Sequence, residues 1–220
     1  MNSTPVIVAI DGPAGAGKST IARALASRLG VEYLDTGAMY RAVTHAAMTR
    51  GVDLNDTESL AVLARSLSIV VADGRTSVDG VDISQSIREA AVTASVSTVA
   101  ANSAVRQVMR DLQRSWGLSR GGGVIEGRDI GTVVFPDALL KVYLTASPRV
   151  RAERRVAEVG GDVVAMERSI MERDHKDSSR SDSPLSTSSD SVVIDTGGRS
   201  VDTVVAEIVD LIDRNRGSRS

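Results

Sequence analysis

Hydrophobic and polar positions along the chain follow two alternating rhythms. Residues 5–10 form an unbroken apolar, β-branched run that stops at Asp11-Gly12, as a strand buried on both faces does. After the glycine-rich stretch, Ile21, Ala24, Leu25 and Leu29 recur at helical spacing and Gly30 ends the pattern, which predicts a helix over Lys18–Leu29. A second strand is expected at Val31–Leu34. Three more buried-strand runs, Gly123–Glu126, Leu139–Thr145 and Ser191–Asp195, are separated by helical patterns. The expected fold is α/β, a three-layer α/β/α arrangement around a five-stranded parallel sheet. A terminal helix over about Ser200–Arg214 would pack on one face through Val201, Val204, Val205, Ile208, Leu211 and Ile212, leaving Arg216–Ser220 as a frayed tail.

Residues 66–84 break this rhythm. Ser68–Gly74 and Thr76–Ile83 alternate around the turn dipeptides Asp73-Gly74 and Asp79-Gly80, the pattern of β-hairpins. They predict a small antiparallel insertion, followed by helices from Ser86 to about Trp116. Residues 177–191, rich in Ser and Asp, have the composition of a solvated linker.

Composition changes this picture mainly by exclusion. Of 220 residues 42% are hydrophobic, enough for a core in one domain with an inserted subdomain, or for two small domains. With one Trp, one Phe and three Tyr, that core must be aliphatic, and stacking platforms for single-stranded nucleic acid are not expected. A net charge of −2 gives no electrostatic reason for nucleic-acid or membrane binding. There is no cysteine, which excludes disulfides and thiolate metal sites. Only His45 and His175 are available to a histidine metal site or a Ser-His-Asp triad. No apolar run approaches the ~20 residues that span a bilayer. The N-terminus lacks the basic and apolar regions of a signal peptide, so a cytoplasmic protein is expected.

The chemistry starts at Gly12-Pro13-Ala14-Gly15-Ala16-Gly17-Lys18-Ser19, which matches G-x-x-x-x-G-K-[ST] between a strand and a helix. Glycines let backbone N–H groups curl around a phosphate, and the helix N-terminus adds partial positive charge. Lys18 can reach the outer phosphates, the Ser19 hydroxyl can ligate Mg²⁺, and Thr20 continues the segment. The pattern points to a nucleoside-triphosphate site. Switch GTPases and motor ATPases share the loop, but no N-K-x-D signature follows a strand and no strand ends in an Asp-Glu pair. Those absences favour transfer of a phosphate to a bound acceptor over hydrolysis.

Transfer to a phosphorylated acceptor brings two polyanions together and requires arginines. They stand after the expected strands: Arg41 in Asp35–Arg41, Arg128 in Gly127–Thr132, then Arg149, Arg151, Arg154 and Arg155, and finally Arg173 and Arg180. In an open parallel sheet these positions meet at the carboxyl edge, where ligands bind. Arg151, Arg154 and Arg155 are also compatible with a helix surface, paired to Glu153 and Glu158. Asp35 could steer Mg²⁺ or water at the acceptor phosphate, or cap a helix.

Taken together these segments resemble the bacterial cytidylate kinases. The resemblance rests on Gly12–Ser19, Leu34–Arg41, Gly127–Asp137 and Glu172–Leu185, and extends from about Val6 to the terminal helix. It implies ATP and Mg²⁺ as cofactors, CMP and dCMP as acceptors, and no nucleic-acid or membrane partner. It implies a single domain over 1–220, with a monophosphate-binding region over about 36–116 and a lid over about 156–164. Tyr40, Arg41 and Arg180 would contact the acceptor phosphate, beside Asp35 and Thr36. Ser97, Arg106, Arg128 and Asp129 would surround the cytosine, since a carboxylate accepts from its exocyclic amine. Arg173 and Asp177 would hold the ribose, and Arg151, Arg154 and Arg155 would face ATP. Lys18, Arg128, Arg155 and Arg180 would carry the catalysis. A monomer is the neutral expectation for a kinase whose parts must move.

Overall fold

The computed structural model describes residues 6–72 and 74–217. The chain divides into two compact units, the first comprising residues up to Tyr33 and from Ser119 on, the second Leu34–Leu118.

The first unit is built on parallel strands. β1 (Val6–Asp11) leads through the glycine loop into α1 (Lys18–Leu29), with the bounds the apolar spacing predicts. β2 (Tyr33–Asp35) begins two residues later than expected. The sheet has five strands and is completed by β6 (Gly122–Glu126), β7 (Leu140–Thr145) and β8 (Val192–Asp195), in the order β2-β6-β1-β7-β8. β1 is therefore central, parallel to β6 on one side and β7 on the other, with Ile10 opposite Glu126 and Asp11 opposite Tyr143. Its carboxyl end is the switch point at which open α/β sheets bind ligands. α1 packs with α8 (Val201–Gly217) over the sheet, so that Val8, Ile10, Leu25, Val142, Leu144, Ile194, Ile208 and Ile212 form one aliphatic cluster. α8 takes in Arg216, where the sequence predicts the start of a frayed tail; Ser218–Ser220 lie outside the described residues.

Between β7 and β8 the chain forms α6 (Pro148–Val159) and α7 (Val163–Ser178), packed on each other. Ser147 and Asp162 cap them by accepting from Val150 N at 3.3 Å and Ala165 N at 2.8 Å. α7 takes in Asp177, so the linker that composition suggests for 177–191 starts later. It is also not wholly solvated, because Leu185 is buried and its N–H donates to the Asp177 carbonyl at 2.9 Å.

The second unit holds α2 (Thr36–Thr49), α3 (Thr57–Ser66), α4 (Ala90–Ala101) and α5 (Ser103–Ser119), which carries the half-buried Trp116. The expected insertion is a three-stranded antiparallel sheet of β3 (Ile69–Ala72), β4 (Arg75–Val78) and β5 (Val81–Asp82). Its second turn has Asp79 and Gly80 at φ 52° and 83°, as a two-residue hairpin loop requires. In the first turn, Asp73 lies outside the described residues.

Candidate active site

Gly12 is where the loop leaves β1. Its φ is 145°, and a Cβ there would stand 2.1 Å from the carbonyl oxygen of Leu144 on β7, so only glycine passes. Beyond it, three loop carbonyls are held by side chains. The Pro13 oxygen accepts from Lys18 Nζ at 2.7 Å, Ala14 from Arg151 at 3.0 Å, and Ala16 from Thr196 Oγ1 at 3.0 Å. A loop whose carbonyls are engaged in this way turns its N–H groups toward an anion, at the amino end of α1.

Arg151 is buried. Besides the loop it donates to the Ala146 carbonyl at 3.0 Å and pairs with Asp174 of α7 at 2.7 Å. Arg154 donates to the hydroxyl of Thr196 at 3.0 Å and to its carbonyl at 2.7 Å, with a guanidinium nitrogen 3.7 Å from where a Gly17 Cβ would be. Arg155 is half-buried on α6 and pairs with Glu158 at 2.8 Å, one of the helix-surface pairings that spacing allows. Ser19 is half-buried in the first turn of α1, and Thr20 is exposed.

A second group gathers around Asp177, which is 1% exposed. Arg128 Nε donates to it at 3.0 Å, and Arg180 donates to its other oxygen. Burial alone would raise the Asp177 carboxyl; the Arg128, Arg180 and Arg173 guanidiniums outweigh it and hold the group below the ordinary carboxylate value. The same field reaches Lys18, whose ammonium is pushed down to about 7 by burial first and then by Arg128, against the pull of Glu126. The guanidiniums thus add to burial in disfavouring the Lys18 ammonium, and a polyanion beside it would favour the charged form.

In the second unit Asp35 caps α2, accepting from Ala38 N at 2.9 Å, as its helix-cap reading expects. Thr36 is buried at the start of α2. One turn on, the Tyr40 ring centre lies 5.7 Å from the guanidinium of Arg106 on α5, which is 1% exposed and donates to the Ala100 carbonyl at 3.1 Å. Arg41 donates to the Ile87 carbonyl at 3.1 Å and to Thr93 Oγ1 at 2.8 Å. Ser97 is half-buried on α4.

Sequence reasoning missed three polar residues at this edge. Asp11, the last residue of β1, accepts from the backbone N–H groups of Ile130 at 2.9 Å and Gly131 at 2.7 Å. Burial pushes its carboxyl up to about 6, with the two N–H groups opposing. Glu126, which ends β6, is 3% exposed and accepts from Tyr33 OH. Thr196 follows β8. The available signal was a polar residue closing two apolar strands and another just past a third. Among the described residues no three His, Asp or Glu side chains gather to hold a metal, and no helix is long and apolar enough to cross a membrane.

A G-x-x-x-x-G-K-S loop at the switch point of a parallel sheet defines a P-loop α/β protein. A gluconokinase structure from Sinorhizobium meliloti shares this fold, with a TM-score of 0.53 at 16% identity over 96% of this chain and 93% of that one. The model of the cytidylate kinase family matches residues 8–214, and the chain belongs to that family. It is 44% identical to the cytidylate kinase of Streptomyces avermitilis over 97% of this chain and 95% of that protein. It is also 47% identical to a bifunctional pantoate ligase/cytidylate kinase from Nostoc, over 93% of this chain and 40% of that longer protein.

Proposed function

We propose that the protein transfers the γ-phosphate of ATP to CMP or dCMP, giving ADP and CDP or dCDP, in pyrimidine nucleotide metabolism. The observation that carries this is the grouping of Arg128, Arg173 and Arg180 about buried Asp177, in electrostatic reach of the loop lysine Lys18. A triphosphate alone does not need that second set of cations; a phosphorylated acceptor does.

In this reading Gly12–Thr20 bind the phosphates of ATP, with Lys18 on the outer ones. Arg151 and Thr196 hold the loop open by its carbonyls, while Arg154 and Arg155 face ATP from α6. Tyr40, Arg41 and Arg180 take the acceptor phosphate, beside Asp35 and Thr36. Arg173 and Asp177 take the ribose. Ser97, Arg106, Arg128 and Asp129 surround the cytosine, with the Asp129 carboxylate accepting from the 4-amino group. The attacking phosphate oxygen is already anionic, so positioning and charge neutralisation by Lys18, Arg128, Arg155 and Arg180 suffice without a general base. Mg²⁺ suits the oxygen donors here: the Ser19 hydroxyl would hold it with the phosphates, and it would neutralise charge on them. The corner at Gly160-Gly161 between α6 and α7 is the proposed hinge of a lid that keeps water from ATP. A monomer working in the cytoplasm completes the reading.

The test is ADP release by the purified protein with ATP, Mg²⁺ and each nucleoside monophosphate in turn. CMP and dCMP are expected to exceed UMP, AMP and GMP by at least about tenfold. Release no faster than with ATP alone would overturn the acceptor assignment and leave the loop assignment standing.

A further inference from the structure

The residues after β6 carry Arg128 and Asp129 and then enter a five-residue π-helical turn, Ile130–Val134. A helical turn begins with N–H groups that have no partner inside it. Here the Asp11 carboxylate takes both: Ile130 N–H at 2.9 Å and Gly131 N–H at 2.7 Å, across 119 and 120 residues of sequence. At the same point the Asp129 carbonyl accepts from Val133 N at 2.9 Å and Val134 N at 3.1 Å. The peptides on either side of Ile130 are therefore fixed at both their donors and their acceptor. From the opposite strand, the Lys141 side chain presses on Gly131, where a Cβ would meet its methylenes at 3.1–3.2 Å; Lys141 is itself held by Asp190 at 2.7 Å.

Burying a carboxylate is unfavourable, and the donor geometry explains why a neutral amide does not replace it. Two converging N–H donors need an acceptor-only side chain. An asparagine would accept one and turn its own NH₂ toward the other, leaving a buried donor unpaired. Asp129 on the turn, Lys18 on α1, Glu126 at the end of β6 and Tyr143 beside it on β7 are the ionisable groups around Asp11.

We propose that Asp11 is a specificity-determining positioning residue, which holds the backbone that aims Asp129 and thereby sets the preference for cytosine over uracil acceptors. This rests on the reading of Asp129 as the base contact. Asp11 itself touches neither nucleotide; it acts through the 129–131 backbone.

The experiment is a double-mutant cycle on the full chain, read as the ratio of kcat/KM for CMP to that for UMP at saturating ATP. Asp129→Asn is expected to lower the ratio at least about tenfold, and Asp11→Asn about fivefold with KM for ATP changed less than about threefold. The double variant should match Asp129→Asn alone within about twofold, because Asp11 works through that residue. Equal loss of kcat for both acceptors in Asp11→Asn, or additive losses in the double variant, would reduce Asp11 to a structural residue and overturn the inference. An Asp129→Asn ratio equal to wild type would overturn the base contact itself, and the inference with it. Should Asp11→Asn not fold, Gly131→Ala crowds the same backbone against the Lys141 methylenes with Asp11 intact. A fall in its ratio supports the inference, and an unchanged ratio overturns it.

Discussion

Asp11 and Lys18 are buried ionisable groups seven residues apart, and each has its ordinary ionisation disfavoured by burial. For Asp11 the consequences for folding and for turnover run in opposite directions. Its carboxyl is raised from 3.8 to about 6, so between those values the folded chain holds a proton that the unfolded chain has lost. Stability from this group therefore rises as pH falls through that window, by a total of about 3 kcal/mol at most. Protonation meanwhile turns one acceptor oxygen into an O–H that opposes the N–H of Ile130 or Gly131. The acceptor phosphate also titrates near 6, which sets the form of the test. Below about pH 6, log kcat/KM for CMP should fall with a slope steeper than one in the wild type and about one in Asp11→Asn. Equal slopes would show that Asp11 does not gate the acceptor.

At the scale of elements, the nucleotide loop is shaped as much by the segments after β7 and β8 as by its own glycines. Thr196, just past β8, donates to the Ala16 carbonyl and accepts from Arg154 of α6. Thr196→Val keeps the shape and removes both bonds; KM for ATP should rise about fivefold while KM for CMP stays within twofold. An unchanged KM for ATP in steady-state kinetics would show that the loop holds its form alone. The extent to which the sequence disclosed these elements follows the range of the forces involved. α1 was legible to the residue because Ile21, Leu25 and Leu29 state a helical period and Gly30 a stop. The β4–β5 turn was legible because Asp79-Gly80 tolerates the left-handed backbone that the turn imposes. Asp11, Glu126 and Thr196 were not, because a polar residue closing or following a buried strand gives no hint of its partner. For Asp11 that partner is 119 residues away and for Thr196 180. At Asp35 the local motif left two roles open, and the contact to Ala38 N shows the helix cap. At 177–191 the polar composition concealed Leu185, which the fold buries.

For the whole molecule, the ordering of strands matters more than any one bond. β1 is the first strand made, yet both of its neighbours, β6 and β7, lie beyond Ser119. Until they exist, β1 presents two edges of unpaired backbone groups and α1 has no sheet to cover. A fragment ending at Leu118 should therefore leave the amides of Ile7–Ile10 unprotected in hydrogen exchange, against strong protection in the full chain. Protection of those amides in the fragment would show that β1 finds another partner.

The aliphatic composition of the core has one more consequence. The only tryptophan, Trp116, belongs to α5 and so to the second unit. Its emission is a built-in optical reporter for that unit, whereas far-ultraviolet dichroism averages over the whole backbone. Superimposable melting curves from the two signals mean that both units lose structure as one cooperative body, and separated curves give the stability of each.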